Sequence, residues 1–489
     1  MNPYYKAIKK YLLFFCFIAA CGRFIHESTL IAFSIYGVFC AARGKSGMAI
    51  ACFIFMPFAI MMNPDLISCT GMLVLFAKIS SLIMMLGVVL LAAKRRGRNR
   101  LPIVGLFMYL VVAIVSSIDG WFPTISFLKI AQFALFLCAL YCTAIAMQDS
   151  YDTLLDVRGV MMALSIITII GSLLVLPFPD LAYAMMIKKA ASYGIYITGD
   201  SILSSGDMTL FNGVCYHSQA LAPIAAILAS WVFCDMLFVE RRVSGLHIVL
   251  LGLSPLILYL TRSRTAIVAL IALLIVIQFY AIRFTAIPTR LKNRVRVIST
   301  LLVVGAVSTA AILESTNGTI SKWIRKTDEI GMDDRGTMDA VMESRMGLVE
   351  RNMYDFSLKP VLGKGFQVMP EHPQWYREGR ISLLSAPIEK GVLPTMILGE
   401  TGIIGAIVFA LFLLHFIVSC SRRHYMSLLS LFAVLIASNM GEASFFSPSG
   451  QGGVMWVVVA IGGFCCDIIT INGQYMQSCF TLPNDARHL

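Results

Sequence analysis

Apolar runs of about 20 residues, each long enough as a helix to cross a hydrocarbon core ~30 Å thick, recur along the whole chain. The clearest predicted helices are Leu66 to Ala93, Leu101 to Ile118, Ile125 to Met147, Gly159 to Pro177, Tyr216 to Val239, Ala266 to Ile282, Val297 to Ile312, Val392 to Ser419 and Gly453 to Ile471. Shorter runs, Tyr11 to Gly22, Ser28 to Ala42, Gly47 to Met62, His247 to Leu260 and Tyr425 to Met440, require tilt, half-helices or burial among neighbours. The pattern predicts an all-α, polytopic helical membrane protein with about 12 to 14 transmembrane helices. One polar segment, Glu314 to Lys390, stands apart as a large loop between hydrophobic runs.

Composition agrees: 58% of the 489 residues are hydrophobic and 13% charged, against roughly 25% charged in a soluble domain, and the mean hydropathy is +0.80. Lys and Arg flanking spans are retained on the cytoplasmic side. Basic clusters occur at Lys9 and Lys10, Arg43 to Lys45, Lys94 to Arg100, Arg241 and Arg242, Arg283 to Arg296, and Arg422 and Arg423. Fourteen crossings, the upper of the two figures, put every cluster on one face, with both termini cytoplasmic. Residues 1–313 then hold transmembrane helices with a smaller outer loop at 180–215, and residues 314–391 form the large outer loop. Residues 392–471 are the C-terminal transmembrane helices and 472–489 a cytoplasmic tail. The net charge of +12 follows from these topology signals and from anionic headgroups, and gives no reason to expect nucleic acid as a partner. No small-residue cleavage site follows the first apolar run, which therefore reads as a retained helix.

Of the 13 cysteines, nearly all fall in apolar runs, where they act as small hydrophobes. Neither they nor the seven histidines show metal-ligand spacing, and there is no Walker loop, so no metal and no cofactor are expected. The candidate chemistry is cationic. The stretch Leu260-Thr261-Arg262-Ser263-Arg264-Thr265 turns between two helices at the outer interface, where guanidinium forks suit phosphate oxygens or snorkel to headgroups. On the large loop, Arg345 and Arg351 sit in a short amphipathic helix with Met346, Val349 and Met353 on one face, a geometry that also fits a solvated helix with local Glu to Arg pairs. Lys129, near the outer end of its helix, either extends a cationic pocket or snorkels. Trp121, Tyr193, Tyr196, Trp323, Trp375 and Tyr376 are candidates for sugar stacking or interfacial anchoring.

Four elements in order carry a resemblance: Ser263-Arg264 heading a helix, Arg345 in the large loop, Lys359-Pro360-Val361-Leu362-Gly363-Lys364-Gly365-Phe366, and Leu398-Gly399-Glu400-Thr401-Gly402-Ile403-Ile404-Gly405. At this spacing residues 200–420 resemble the O-antigen ligase and polymerase superfamily of bacterial membrane glycosyltransferases. Phe211-Asn212-Gly213 and His217-Ser218-Gln219 are similar to a further short element, departing from it at Ser218 and Gln219. The resemblance implies a cell inner membrane enzyme that transfers an undecaprenyl-pyrophosphate-linked glycan to a glycan or lipid acceptor on the periplasmic face, without metal or nucleotide sugar. It implies that Arg264 and Arg345 stabilise the departing pyrophosphate, with Arg262 and Lys364 as additional cations. A chain-length regulator and a polysaccharide export system are implied neighbours.

The sequence departs where the family has a histidine, about nine residues before the glutamate of the second motif; Gly391 stands there, preceded by Glu389 and Lys390. Glu389 acting as base, Lys390 acting as a pyrophosphate donor with late proton loss, and His372 reaching in from the loop remain three readings. Replacement of the usual histidine favours a surface or exopolysaccharide polymerase over an O-antigen ligase to lipid A core or protein. The rival class, a lipid-linked glycan transporter, calls for inverted repeats and charges within helices; no repeat is visible, and the ionisable residues read as gathered at the outer side.

Overall fold

The computed structural model describes residues 3–68, 72–92, 97, 99–182, 211–261, 263–277, 337–368 and 391–480, with isolated positions between 289 and 297. It is helical throughout, with 82% helix and no strand among the described residues. In chain order we label α1 Pro3–Phe24, α2 Thr29–Ala42, α3 Ser46–Met61, α4 Leu73–Ala92, α5 Val104–Ile118, α6 Pro123–Ala146, α7 Tyr151–Val175, α8 Ser218–Glu240, α9 Gly245–Leu260, α10 Arg264–Val276, α11 Thr337–Leu358, α12 Leu393–Arg423 and α13 Met426–Asn439. The last, α14, begins at Gly450–Val457 and continues through a π-helical stretch, Val458–Gly463, into Phe464–Phe480.

Six of these helices are long and apolar enough to cross a membrane, and six more are apolar but of 10–17 residues. Of the six long helices, α8 and α14 are the most buried, with 89% of their apolar stretch inside the protein, against 28% for α12. The first two therefore form the axis of the bundle while α12 presents Ile407, Leu411 and Leu414 outward, as lipid-facing helices do. Glycines permit close approach: Gly159 of α7 lies against Ala7 and Ile8 of α1, and Gly462 of α14 lies against Trp231 of α8, the small-residue packing that brings helix backbones together in lipid.

Helix limits differ from the hydropathy pattern where polar side chains set them. The run from Gly159 begins instead at Tyr151, because Ser150 accepts the Thr153 amide at 3.1 Å as an N-cap and lets the helix start among charged residues. The run from Leu66 is divided into a short turn, Pro64–Ile67, and α4. The helix of α14 runs on to Phe480, so the stretch from residue 472 assigned to a tail is helical as far as that. The predicted span Val297 to Ile312 lies outside the described residues apart from Val297.

The expectation that ionisable residues gather at one end is corrected by a buried network at the other. Arg158 of α7 grips Asp235 of α8 with both arms, Nε to Oδ1 at 2.6 Å and a terminal nitrogen to Oδ2 at 2.9 Å, while Glu240 approaches the same guanidinium at 3.1 Å. The Tyr4 ring of α1 lies 3.7 Å beneath it, and His247 of α9 meets Asp235 at 3.1 Å. One acidic side chain thus ties four helices. Close by, Asp467 of α14 accepts the Ser427 and Leu428 amides, both at 2.9 Å, and caps α13. Sequence reading passed over Asp235 although an acid inside an apolar run is costly enough to signal a partner.

Removing Asp235 takes the two-armed partner from the buried Arg158 guanidinium and leaves it Glu240 on one side alone. Asp235→Ala is expected to destabilise the protein by about 3–5 kcal/mol, with Arg158→Met/Asp235→Leu recovering most of the loss. Thermal unfolding of the detergent-purified variants checks this; a double variant no better than the single one contradicts it.

Candidate functional site

The end of the bundle opposite that network is organised by a break in α12. Gly402 has φ 65 and ψ −163, a conformation that only glycine adopts cheaply. In an unbroken helix the Ile403 amide would donate to Gly399 and the Ile404 amide to Glu400. Both are diverted into the chain at residues 359–366. Ile403 donates to the Pro360 carbonyl at 2.9 Å and Ile404 to Val361 at 3.4 Å; in return the Lys364 amide donates to Gly399 at 3.0 Å and the Gly365 amide to Glu400 at 3.1 Å. Four backbone bonds replace two, so the two sequence motifs are halves of one interlocked unit. Gly363, at φ 72, sits so close that a Cβ would strike the Glu400 carbonyl, and a Cβ on Gly402 would strike that of Val361.

Helices α5 and α6 hold this latch from behind. The Ser116 hydroxyl donates to the Glu400 carbonyl at 2.7 Å, the Tyr109 hydroxyl lies 3.3 Å from that of Thr401, and Ser126 donates to the Phe366 carbonyl at 3.0 Å. Phe366 packs among Tyr109 and Phe446, and Gln367 donates to the Phe446 carbonyl at 2.8 Å. Lys359 pairs with the Asp119 carboxylate at 2.6 Å. Lys364 is 4% exposed, its ammonium bonded to Asp355 and 5.3 Å from the Trp121 ring centroid. Read as an additional cation, Lys364 has its charge compensated by Asp355 within the protein, and its backbone forms the latch. Lys129, read as extending a cationic pocket or snorkelling, is also 4% exposed and lies one helical turn from Ser126.

Beside the latch, several connections meet. Leu348 of α11, one turn beyond Arg345, packs on Gly391, where a Cβ would stand 2.8 Å from the leucine Cβ. The Gly391 carbonyl accepts the Ala443 amide at 2.9 Å. Two residues earlier, Gly441 presses on Thr265, the neighbour of Arg264, which is half-buried in the first turn of α10. The ends of α3 and α8 on this side of the bundle join in: Asn63 donates to the Val214 carbonyl at 2.7 Å and Tyr216 to Met61 at 2.9 Å. Burial foremost, then the Glu442 charge, pushes the Tyr216 phenol up to about 12. The His217 ring accepts the Gln219 amide at 2.9 Å and caps α8.

The structure thus brings Arg264, the backbone turn carrying Arg345, and Gly391 into one neighbourhood. The Arg345 side chain lies outside the described residues, as do Arg262, His372, Glu389 and Lys390. Arg351 is half-buried on α11, next to Asn352, whose amide reaches the Thr395 hydroxyl at 3.3 Å. The charge of Glu442, felt at Tyr216, comes from a residue 226 positions further along the chain, which no local pattern announces. Among the described residues, no trio of His, Cys, Asp or Glu is placed to hold a metal ion.

Because Gly363 has neither room for a side chain nor a φ that tolerates one, Gly363→Ala is expected to weaken the latch by about 1–3 kcal/mol. Hydrogen exchange at the amides of Lys364, Gly365 and Ile403 should accelerate, while Gly347→Ala, where a Cβ meets nothing within 4 Å, should leave those rates unchanged. Equal protection in both variants contradicts the latch. The chain matches no protein-family model and no curated protein.

Proposed function

We propose that this chain is a bacterial inner-membrane glycosyltransferase that polymerises polyprenyl-pyrophosphate-linked glycan repeat units on the periplasmic face. The observation that supports the reading is the latch: the two motifs behind the resemblance, distant in sequence, pair backbone to backbone beside the turn that joins Gly391 to the Arg264 helix. Sidedness rests on the basic loops, which place Lys10 and Arg423 in the cytoplasm and Arg264 outside.

In the reaction an acceptor hydroxyl attacks the anomeric carbon while the bond from that carbon to pyrophosphate breaks, and negative charge grows on the leaving oxygen. Arg264 and Arg345 provide fixed positive donors for that charge at a partly dry interface. In this reading Arg351 steers the anionic lipid headgroup toward them. Breaking α12 leaves its first half as a short, latched segment, which fixes Gly391 and α11 rigidly with respect to α10.

Arg264→Ala and Arg345→Ala are each expected to lower product formation by about 100-fold or more, with Lys at either position restoring only part because the planar fork is lost. Purified protein, an undecaprenyl-pyrophosphate oligosaccharide and EDTA, with products sized on a gel, test this. A ladder of repeats supports a polymerase, and transfer only to an added lipid core would reassign the chain as a ligase. Near-normal product from either Ala variant sinks the arginine assignment.

A further inference from the structure

The exposed apolar residues of α5 keep a regular helical spacing. Val104, Met108, Val111, Val115 and Ile118 recur at alternating intervals of four and three, the stripe of a helix that shows one side to lipid. One further interval leads to Trp121, 52% exposed in the turn that follows the helix. On α12 a second stripe, Leu414, Leu411, Ile407 and Ile404, climbs toward the same end and stops at the Gly402 break. Beyond that break α12 runs from Ile403 to Arg423, a length of about 31 Å at 1.5 Å per residue, enough to cross a hydrocarbon core of ~30 Å by itself. Ile403 therefore stands at the edge of the hydrocarbon, and the latch with it.

Between the ends of these two stripes lie the last turns of α11 and the segment after it. Backbone bonds hold them there: Ile403 and Ile404 donate to the Pro360 and Val361 carbonyls, and the Trp121 amide donates to that of Lys364 at 3.1 Å. The Lys364 ammonium, neutralised by Asp355, stands between two rings, 5.3 Å from the Trp121 centroid and 5.4 Å from that of Tyr354. Tyr354, Leu358 and Val361 are exposed and fill the gap from one stripe to the other. Asn352 and Asp355 pack on Gly399 in the first half of α12. At 100° per residue, Tyr354 and Leu358 lie to one side of that contact, Met353 to the other, and Glu350 opposite it. The flank that meets the stripes is thus an apolar one.

We propose that this flank of α11 is seated in the bilayer interface, where Tyr354, Leu358 and Val361 continue the lipid-facing surface of α5 and α12 and their partner is the phospholipid of the leaflet at the latch end. Trp121 and Tyr354 hold the boundary, each with an apolar ring for the acyl chains and a polar atom for the headgroups. Of the two roles open to Trp121, anchoring and sugar stacking, the seat assigns anchoring. A helix of the large polar loop then rests on lipid instead of standing clear of it, as an in-plane amphipathic helix does. The latch is fixed at headgroup depth, the level at which a lipid-borne phosphate also lies.

The test uses the full-length protein in nanodiscs of phosphatidylethanolamine and phosphatidylglycerol, with the photo-reactive amino acid benzoylphenylalanine in place of Tyr354, Leu358, Met353 or, as a lipid-facing reference, Leu411. After illumination the intact mass of the protein reports the fraction that has gained one phospholipid. Tyr354 and Leu358 are expected to give adduct within about threefold of Leu411, and Met353 about tenfold less than Leu358, because an in-plane helix wets one side and buries the other. Equal adduct at Leu358 and Met353, or none at Leu358 while Leu411 reacts, overturns the seat. A cross-link from Leu358 to a second copy of the chain overturns it in favour of a protein partner. Should the protein altered at Leu358 fail to fold, as judged by size-exclusion elution, Tyr354 decides, since there one aromatic ring replaces another. No catalysis enters the measurement, so its outcome stands apart from the transferase reading.

Discussion

A helix in lipid has nowhere to send a broken hydrogen bond, and the Gly402 break in α12 obeys that constraint by borrowing a partner. The chain from Pro360 to Gly365 supplies two acceptors and two donors, answering the amides of Ile403 and Ile404 and the carbonyls of Gly399 and Glu400. Everything else at this end of the bundle is placed relative to that exchange. The serines of α5 and α6 brace it, the Lys364 to Asp355 pair fastens α11 over it, and Gly391 enters α12 from beside the turn that touches α10.

The opposite end solves a different problem with different means. Four helices converge on Asp235, where the guanidinium of Arg158 answers the carboxylate and Tyr4 and His247 fill the remaining directions. Burying these groups in place of apolar ones carries a desolvation cost. It yields a fixed relation between α1, α7, α8 and α9 that apolar packing alone defines less sharply. With one end held by charge and the other by backbone exchange, the central helices α8 and α14 run between two rigid anchorages.

Hydropathy made the helices legible because a membrane demands length and apolarity from every span, and the two glycine-containing motifs were legible as motifs. Their mutual pairing was not, since a backbone bond such as that from Ile403 to Pro360 leaves no mark on either segment. The side chain of Lys364 illustrates the limit. A lysine among glycines in an outer loop reads as available, whereas the fold encloses it between a carboxylate and an indole. Asp235 shows the reverse, an acid whose position in an apolar run declared a partner that only the bundle identifies. Glu442 sits in a short polar turn where sequence offers no period, so the bond of its neighbour Ala443 to Gly391 emerges only from the packing of the helices around it.

The segment between Val368 and Gly391 begins and ends on one spot. Gln367 is tied to the Phe446 carbonyl, and Gly391 is tied to the Ala443 amide, so both stems rest on the same turn of chain. Lengthening a chain between two fixed, neighbouring stems costs only about 0.6 kcal/mol for each doubling. The bundle therefore places little thermodynamic demand on the length of the chain that joins these two stems.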